Sequence, residues 1–180
     1  MAIYAYGKRV PTIDPAAYVF PSADVIGKVK IGAKVFVGAG AIIRGDYGRI
    51  IIGDGSAVEE NVTIHARMSG TTRIGKNVTI GHNAMLHNCT VEDGVVIGMN
   101  ATVSDNAVVG EDAIIAEGAV VKSKTIVPPR TVWGGVPATE IGPASEGSIK
   151  FWKMAKEIYQ GLCKDYPEKL RRIDGNDDEK

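Results

Sequence analysis

The chain has 180 residues, of which 44% are hydrophobic, and its 21 basic and 21 acidic residues give a formal net charge of +0. This length suffices for one sizeable core, and the charge balance excludes a general attraction to nucleic acid or anionic membranes. Residues 1–10 lack the apolar run that is typical of a signal peptide, no stretch is long enough to span a membrane and only two cysteines occur, so the predicted location is the cytoplasm.

The first 19 residues contain Pro11 and Pro15 and show no repeat. We therefore expect residues 1–19 to form an irregular N-terminal segment that leads into the first regular element.

A six-residue repeat occupies residues 20–137. Most steps between successive apolar anchor residues are of six, and a small or β-branched residue often follows four places after an anchor. The anchors are Phe20, Ile26, Ile31, Val37, Ile43, Ile52, Val58, Ile64, Ile74, Ile80, Leu86, Val91, Ile97, Val103, Val109, Ile115, Val121, Val127 and Trp133. A helix would need a period near 3.6, and hairpins would need paired turn signals. The pattern instead predicts an all-β hexapeptide solenoid of short parallel strands.

Residues 138–180 have a different pattern. From Ser148 to Tyr166, apolar residues recur at spacings of three and four between lysines and glutamates, which predicts an amphipathic helix that covers one wall of the solenoid. We expect Pro167 to end this helix, a short second helix to reach Ile173, and residues 174–180 to form a frayed polar tail.

The three histidines of the chain, His65, His82 and His87, lie within two coils of the repeat. Ile64 and Leu86 occupy equivalent positions on successive coils, once a bulged loop after His65 is removed, and each precedes a histidine. Because side chains alternate along a strand, inward anchors place both imidazoles outward, about 4.8 Å apart. Two imidazoles at this spacing can share a cation, so the pair predicts a metal site.

Two other polar residues belong to the same neighbourhood. Arg44 follows Ile43, one coil before His65 and in its column. His82 lies near a corner, and we expect Glu59 in its column on the preceding coil. A single exposed histidine is usually an ordinary surface residue, but the joint arrangement of these side chains favours a metal site.

Four segments carry a family resemblance: IIRGDYGRI at 42–50, NVTIH at 61–65, IGHNAMLHNC at 80–89 and GGVPATEI at 134–141. They resemble the γ-class carbonic anhydrases and their relatives, which include ferripyochelin-binding, carnitine-operon and phenylacetate-degradation accessory proteins. The resemblance covers about residues 10–160 in one register. It implies a left-handed parallel β-helix with a C-terminal α-helix packed along it.

In that family, three histidines hold a metal ion between the subunits of a homotrimer. The resemblance implies that His65 and His87 come from one subunit and His82 from its neighbour, with Zn²⁺ as the ion and Fe²⁺ or Co²⁺ as alternatives. It also implies an intersubunit ion pair of Arg44 with Asp46 that shapes the catalytic site. The implied reaction is the hydration of carbon dioxide to bicarbonate by metal-bound hydroxide.

The sequence departs from the best-studied pattern of this family. Tyr47 replaces a glutamate, and residues 66–73 replace a longer acidic loop, so the usual proton-shuttling carboxylates are missing. Glu59 stands where relatives often carry glutamine, and we expect it to be a catalytic group near the bound water. Its carboxylate can accept a proton or hold the water, while its charge favours neutral water over hydroxide.

Two alternatives remain at this stage. A metal-loaded protein with weak or no anhydrase activity, which acts as a scaffold or hydrolyses thioesters, fits the missing shuttle groups. A hexapeptide acyltransferase shares the coils and the segment at 135–138 and uses one histidine as a general base, with coenzyme A bound between subunits. That second alternative leaves the stacked pair of His65 and His87 unexplained.

Overall fold

The six-residue repeat builds short strands separated by tight corners, and successive coils stack by parallel pairing into a left-handed β-helix of about seven turns. The computed structural model describes residues 2–173. Its strands are β1 Ala2–Tyr4, β2 Thr12–Ile13, β3 Tyr18–Val19, β4 Asp24–Ile31, β5 Phe36–Val37, β6 Ile42–Ile52, β7 Ala57–Val58, β8 Thr63–His65, β9 Thr71–Ile74, β10 Thr79–Ile80, β11 Met85–His87, β12 Thr90–Val91, β13 Val96–Ile97, β14 Thr102–Val103, β15 Val108–Val109, β16 Ile114–Ile115, β17 Val120–Val121, β18 Ile126–Val127, β19 Thr131–Gly134 and β20 Thr139–Pro143. One helix, α1 Glu146–Lys169, follows them.

Three faces arise from this stacking. The first face runs β1, β4, β6, β8, β11, β14, β17, and the second runs β2, β4, β6, β9, β12, β15, β18. They form one twelve-stranded sheet because β4 and β6 are long enough to bend around the shared corner. The third face runs from β3 to β20, and β19 and β20 close it as an antiparallel pair.

The interior is filled by the anchors and by the small residues four places after them. Ile43, Ile64 and Leu86 are fully buried, and so are small residues such as Ala84 and Ala101. The repeat therefore predicts the core correctly through most of the chain. Ile26 is an exception, because the neighbouring Val25 fills the core position of the first coil and Ile26 pairs beside Arg44 of β6.

The corners repeat one backbone conformation. Many of them hold a residue with positive φ, a region that asparagine tolerates better than most residues because its side chain can bond locally. The asparagines in this conformation are Asn61, Asn77, Asn83, Asn88, Asn100 and Asn106. The corners thus let each coil close within its eighteen or so residues without glycine at every turn.

The N-terminal segment, expected to be irregular, contains three short strands. β1 and β2 pair in parallel with β4, and β3 pairs with β5. These strands continue the edge of the solenoid, so the repeat geometry extends beyond the residues whose spacing reveals it. The division of the chain at residues 20 and 137 stays a prediction.

The helix α1 packs on the third face, as its amphipathic pattern predicts. Tyr166 makes edge contacts with Tyr18 and Phe36, and Tyr159 packs on Phe36 as well. Ser145 caps the helix by accepting a hydrogen bond from the Ser148 amide at 3.1 Å. Aromatic contacts from one wall thus fix the helix along the solenoid.

The predicted helix end was wrong. Pro167 lies inside α1, which continues to Lys169, where the Leu170 amide bonds the Tyr166 carbonyl. A proline removes a single amide donor, and so close to the end of a helix this loss does not stop the last turn. The predicted second helix through Ile173 does not form within the described residues, and the expected polar tail at 174–180 lies outside them. No helix between residues 2 and 173 is long and apolar enough to cross a membrane.

Candidate metal centre

Two imidazoles meet on the first face. His65 and His87 are direct partners in the parallel pairing of β8 with β11, which confirms the register predicted from the anchors. Their ring centroids are 5.0 Å apart, and Nδ1 of His65 lies 3.0 Å from Nε2 of His87. The loop that follows β8 closes with a hydrogen bond from the Gly70 amide to the Arg67 carbonyl, so the extra residues bulge outward without breaking the stack.

Each of these imidazoles has a carboxylate on its other ring nitrogen. Nε2 of His65 lies 3.2 Å from Oδ1 of Asp46, and Nδ1 of His87 contacts Oδ1 of Asp105. A carboxylate behind a histidine fixes the ring and raises its basicity, and this arrangement recurs at metal-binding histidines.

The donor set suits a zinc-like ion. Two nitrogens bound at about 2.05 Å to a tetrahedral ion would be about 3.3 Å apart, and the facing nitrogens of His65 and His87 are 3.0 Å apart. Both rings are partly buried, with side-chain exposures of 20% for His65 and 37% for His87, so a ligand or a further donor can still reach them.

Burial, aided by two neighbouring charges, favours the neutral, metal-binding form of His65. Burial lowers the pKa of His65, and the neighbouring charges of Arg44 and His87 lower it further, against the hydrogen bond to Asp46 that raises it. For Asp46, burial raises the pKa, but hydrogen bonds from Arg44, the Tyr47 amide and His65 outweigh this and hold the pKa below its ordinary value. Asp46 is thus an anion behind a neutral imidazole.

Arg44 and Asp46 pair within one chain. Nη1 of Arg44 lies 2.6 Å from Oδ2 of Asp46, and the Arg9 guanidinium donates to the Asp46 carbonyl oxygen. Arg44 is also the register partner of His65 on β6. The intersubunit form of this ion pair stays a prediction.

His82 lies apart from the stacked pair. It follows β10 on the third face, where its Nε2 is 3.1 Å from Oε2 of Glu59 and its Nδ1 is 2.7 Å from Oε2 of Glu60. The pairing of Ile80 with Val58 puts Glu60 in the column of His82 and Glu59 one position before it, so the predicted column was wrong by one residue. Within residues 2–173 of a single chain, no three histidine, cysteine or acidic side chains form a group that could hold a metal ion.

Glu59 connects His82 to the helix. Its side chain is buried, and it accepts a hydrogen bond from the His82 amide at 3.2 Å. Burial raises the pKa of Tyr159 well above its ordinary value, and a hydrogen bond with Glu59 raises it further. The Tyr159 hydroxyl therefore stays protonated and donates to the Glu59 carboxylate, which ties α1 to this corner of the solenoid.

The sequence reasoning missed Asp105, Glu60 and Tyr159. The pairing of Leu86 with Val103 puts Ser104 beside His87, so Asp105 lies one position past the column and only the bend of the corner brings its carboxylate to the ring. Glu60 could have been found by extending the pairing of β7 with β10, whereas Tyr159 reaches its place only through the packing of α1. Burial raises the pKa of Cys89 to about 12, which agrees with a packed, unreactive thiol.

Comparison with known proteins places this fold among hexapeptide-repeat proteins. Residues 71–105 and 88–123 match the bacterial transferase hexapeptide (six repeats), and residues 28–66 match the hexapeptide repeat of succinyl-transferase. A crystal structure of a Bacillus cereus protein, suggested to be an acetyltransferase, superposes with a TM-score of 0.91 at 28% identity. The match covers 94% of this chain and 98% of that one.

Two named proteins are similar to this chain in sequence over most of its length. Gamma carbonic anhydrase 1, mitochondrial, of Arabidopsis thaliana is 40% identical over 161 residues, which cover 86% of this chain. The match spans only 58% of the length of the Arabidopsis protein. The carnitine operon protein CaiE of Escherichia fergusonii is 35% identical over 162 residues, which cover 90% of this chain and 83% of CaiE.

Proposed function

The chain belongs to the γ-carbonic anhydrase-related family of hexapeptide-repeat proteins, and from this membership we propose that it is a metal-dependent carbonic anhydrase that converts carbon dioxide to bicarbonate. The observation that carries the proposal is the stacked pair of His65 and His87, whose facing nitrogens are 3.0 Å apart while a carboxylate lies behind each ring. An ordinary surface histidine pair has no need of two such carboxylates.

We assign His65 and His87 as ligands from one subunit of a homotrimer and His82 as the ligand from its neighbour. His82 lies on a different face from the stacked pair, so a second copy of the chain is the source of the third imidazole at each site. Both nitrogens of His82 contact carboxylates in the single chain, and one of these contacts is exchanged for the ion on assembly. Zn²⁺ is the expected ion, with Fe²⁺ or Co²⁺ as alternatives, and the cytoplasm is the expected location.

An ion held by three imidazoles acts as a Lewis acid and makes water a nucleophile near neutral pH. The residues of the chain prepare this site. Asp46 and Asp105 hold the two stacked rings in place, and Arg44 neutralises Asp46 so that the carboxylate stays fixed. Glu59 positions His82 and offers a buried carboxylate that can take a proton during the reaction.

Complementation between two inactive variants tests this assignment. The first is His82→Ala, which keeps the stacked pair, and the second is His65→Ala/His87→Ala, which keeps His82. Each variant alone should bind less than one-tenth of the wild-type zinc and show no measurable carbon dioxide hydration. After co-refolding at equal amounts, about a quarter of the intersubunit sites regain all three ligands, because a site needs one subunit of each kind.

The measurements are zinc content per chain and stopped-flow hydration rates, with subunit mixing followed by native mass spectrometry. Lys150→Gln, an exposed residue near the start of α1, is the control and should match the wild type. Mixed trimers that recover neither zinc nor activity would rule out a shared site. Recovery of zinc binding without carbon dioxide hydration would support the shared metal site but rule out the anhydrase reaction. That outcome would favour the scaffold or the thioester hydrolase.

Acyl transfer is the second candidate, and the likeness of the fold to the Bacillus cereus structure is the observation in its favour. An acyltransferase needs one histidine as a general base and a site for coenzyme A. Thermal protection of the purified protein by coenzyme A, together with no effect of a chelator on its stability, would favour this candidate over the anhydrase.

A further inference from the structure

A cavity of about 800 Å³ lies around the corner from the stacked histidines, between the N-terminal segment and the second face. Five cationic side chains line it: Lys8, Arg9, Lys28, Lys30 and Arg49. No aspartate or glutamate is among the described residues that line it. Since the whole chain carries equal numbers of acidic and basic residues, this concentration of positive charge is a local departure from the balance.

The positive charges of this cavity form no ion pairs among residues 2–173. Between residues 2 and 173, Lys8, Lys28, Lys30 and Arg49 take part in none of the ion pairs of the structure. Arg9 donates to a neutral carbonyl oxygen, that of Asp46, and so keeps its charge uncompensated there. The cavity therefore presents a field that an anion would complement.

Two of these charges lie at an irregularity of the sheet. Val29 of β4 pairs with Ile50 of β6, and the residues before them, Lys28 and Arg49, lie where the register of the two strands shifts; both side chains are exposed and line the cavity. Like charges on neighbouring strands destabilise a sheet. An anion between the two side chains would convert this repulsion into attraction.

The size of the cavity and one aromatic side chain indicate what kind of anion fits. About 800 Å³ lies within the range of sites for small organic ligands and is far larger than bicarbonate or a single phosphate needs. Tyr47 lies at one side of the cavity, and its exposed ring is held in edge contact with Tyr6, with centroids 5.6 Å apart. A fixed, exposed ring offers a surface for a planar group.

We propose that this cavity binds a nucleoside diphosphate, with its two phosphates between Lys28, Lys30 and Arg49 and its base against Tyr47. An arginine and two lysines can neutralise adjacent phosphates by charge-assisted hydrogen bonds, and arginine does so in a bidentate way. The cavity lies beside the proposed metal centre, since Arg9 donates to the Asp46 carbonyl oxygen, but binding of the diphosphate does not depend on the proposed reaction.

Isothermal titration calorimetry on the full-length chain, with ADP, pyrophosphate and AMP as probes at fixed ionic strength, tests the proposal. ADP and pyrophosphate should bind, AMP should bind about tenfold or more weakly, and added salt should weaken all three. Lys28→Gln/Arg49→Gln should weaken ADP about a hundredfold, since each lost charge-assisted contact is worth about tenfold. Tyr47→Ala should weaken ADP but leave pyrophosphate unchanged.

Lys122→Gln/Lys150→Gln is the matched control, because it removes two exposed cations outside the cavity and should not change any affinity. Lys30→Gln provides a single substitution in case the double variant folds poorly. Equal ADP affinity in the wild type and in Lys28→Gln/Arg49→Gln would overturn the proposal, as would the absence of binding at millimolar ADP. If no phosphate probe gives heat and the oligomeric state changes in Lys28→Gln/Arg49→Gln, the cavity is a contact surface for a second copy of the chain. That result would also overturn the proposal.

Discussion

Asp105→Asn is the substitution that most directly tests how the metal centre is built. The Asp105 carboxylate contacts Nδ1 of His87, the ring nitrogen that points away from His65, and it also accepts from Nη1 of Arg67 at 3.1 Å. Asparagine keeps the shape of the side chain but removes its charge. We expect the His87 ring to be held less firmly and to be a weaker ligand, while the fold is unchanged.

The exposure of the two carboxylates sets the expected magnitude. Losing a carboxylate behind a ligating histidine typically weakens metal affinity by about 10- to 100-fold. The side chain of Asp105 is 27% exposed and that of Asp46 is 12% exposed, so solvent screens Asp105 more. We therefore expect Asp105→Asn to weaken zinc binding by about tenfold, or about 1.4 kcal/mol, and Asp46→Asn to approach the hundredfold end of the range.

Competition with a chromophoric chelator measures these affinities, and urea unfolding of the metal-free proteins checks the fold. Asp165→Asn, which breaks only an exposed pair with Lys169 on α1, is the control and should bind zinc like the wild type. If Asp105→Asn binds zinc as tightly as the control while His87→Ala binds it more weakly, then the Asp105 carboxylate does not support the His87 ligand and this reasoning is wrong.

Three further predictions concern the helix, the coils and the buried carboxylate. Burial lowers the pKa of Lys156 to about 8 from 10.5. Between these pH values the unfolded chain binds more protons than the folded chain, so the free energy of unfolding rises with pH. Lys156→Met should lose this rise, roughly 3 kcal/mol at most, when urea unfolding is measured at pH 8 and pH 10. Gly53→Ala should lower the free energy of unfolding by about 1–3 kcal/mol, because its Cβ would meet the Gly75 carbonyl oxygen at 2.5 Å. Gly161→Ala has open space around the new Cβ on α1 and should raise the free energy of unfolding by about 1 kcal/mol. A change of the same sign in both variants would refute the steric argument. Glu59→Gln should move the pH midpoint of carbon dioxide hydration downward, because a negative charge near the site is lost; identical pH profiles would remove Glu59 from the mechanism.

The sequence predicted the column of imidazoles because a fixed six-residue step converts chain position directly into spatial position. The same rule failed where the spacing changes, as at Ile26, where Val25 takes the core position and a long β4 bends around a corner. It also failed for Pro167, since the position of a proline within a helix decides whether the helix ends there.

The supporting contacts of the site were harder to predict. Asp105 reaches His87 from a corner on the next coil, and the conformation of the corner, rather than the repeat, aims its side chain. Tyr159 reaches Glu59 only because aromatic packing places α1 against the third face. Both contacts depend on tertiary geometry, to which single-sequence spacing gives no access.

The two histidine-bearing strands are the fourth and fifth of the seven that stack along the first face. Each coil contacts only its neighbours, so thermal fraying begins at the terminal coils and progresses inward. Amides of β8 and β11 should therefore be among the slowest to exchange with deuterium, and the ends of the solenoid can open and close while the paired imidazoles keep their spacing.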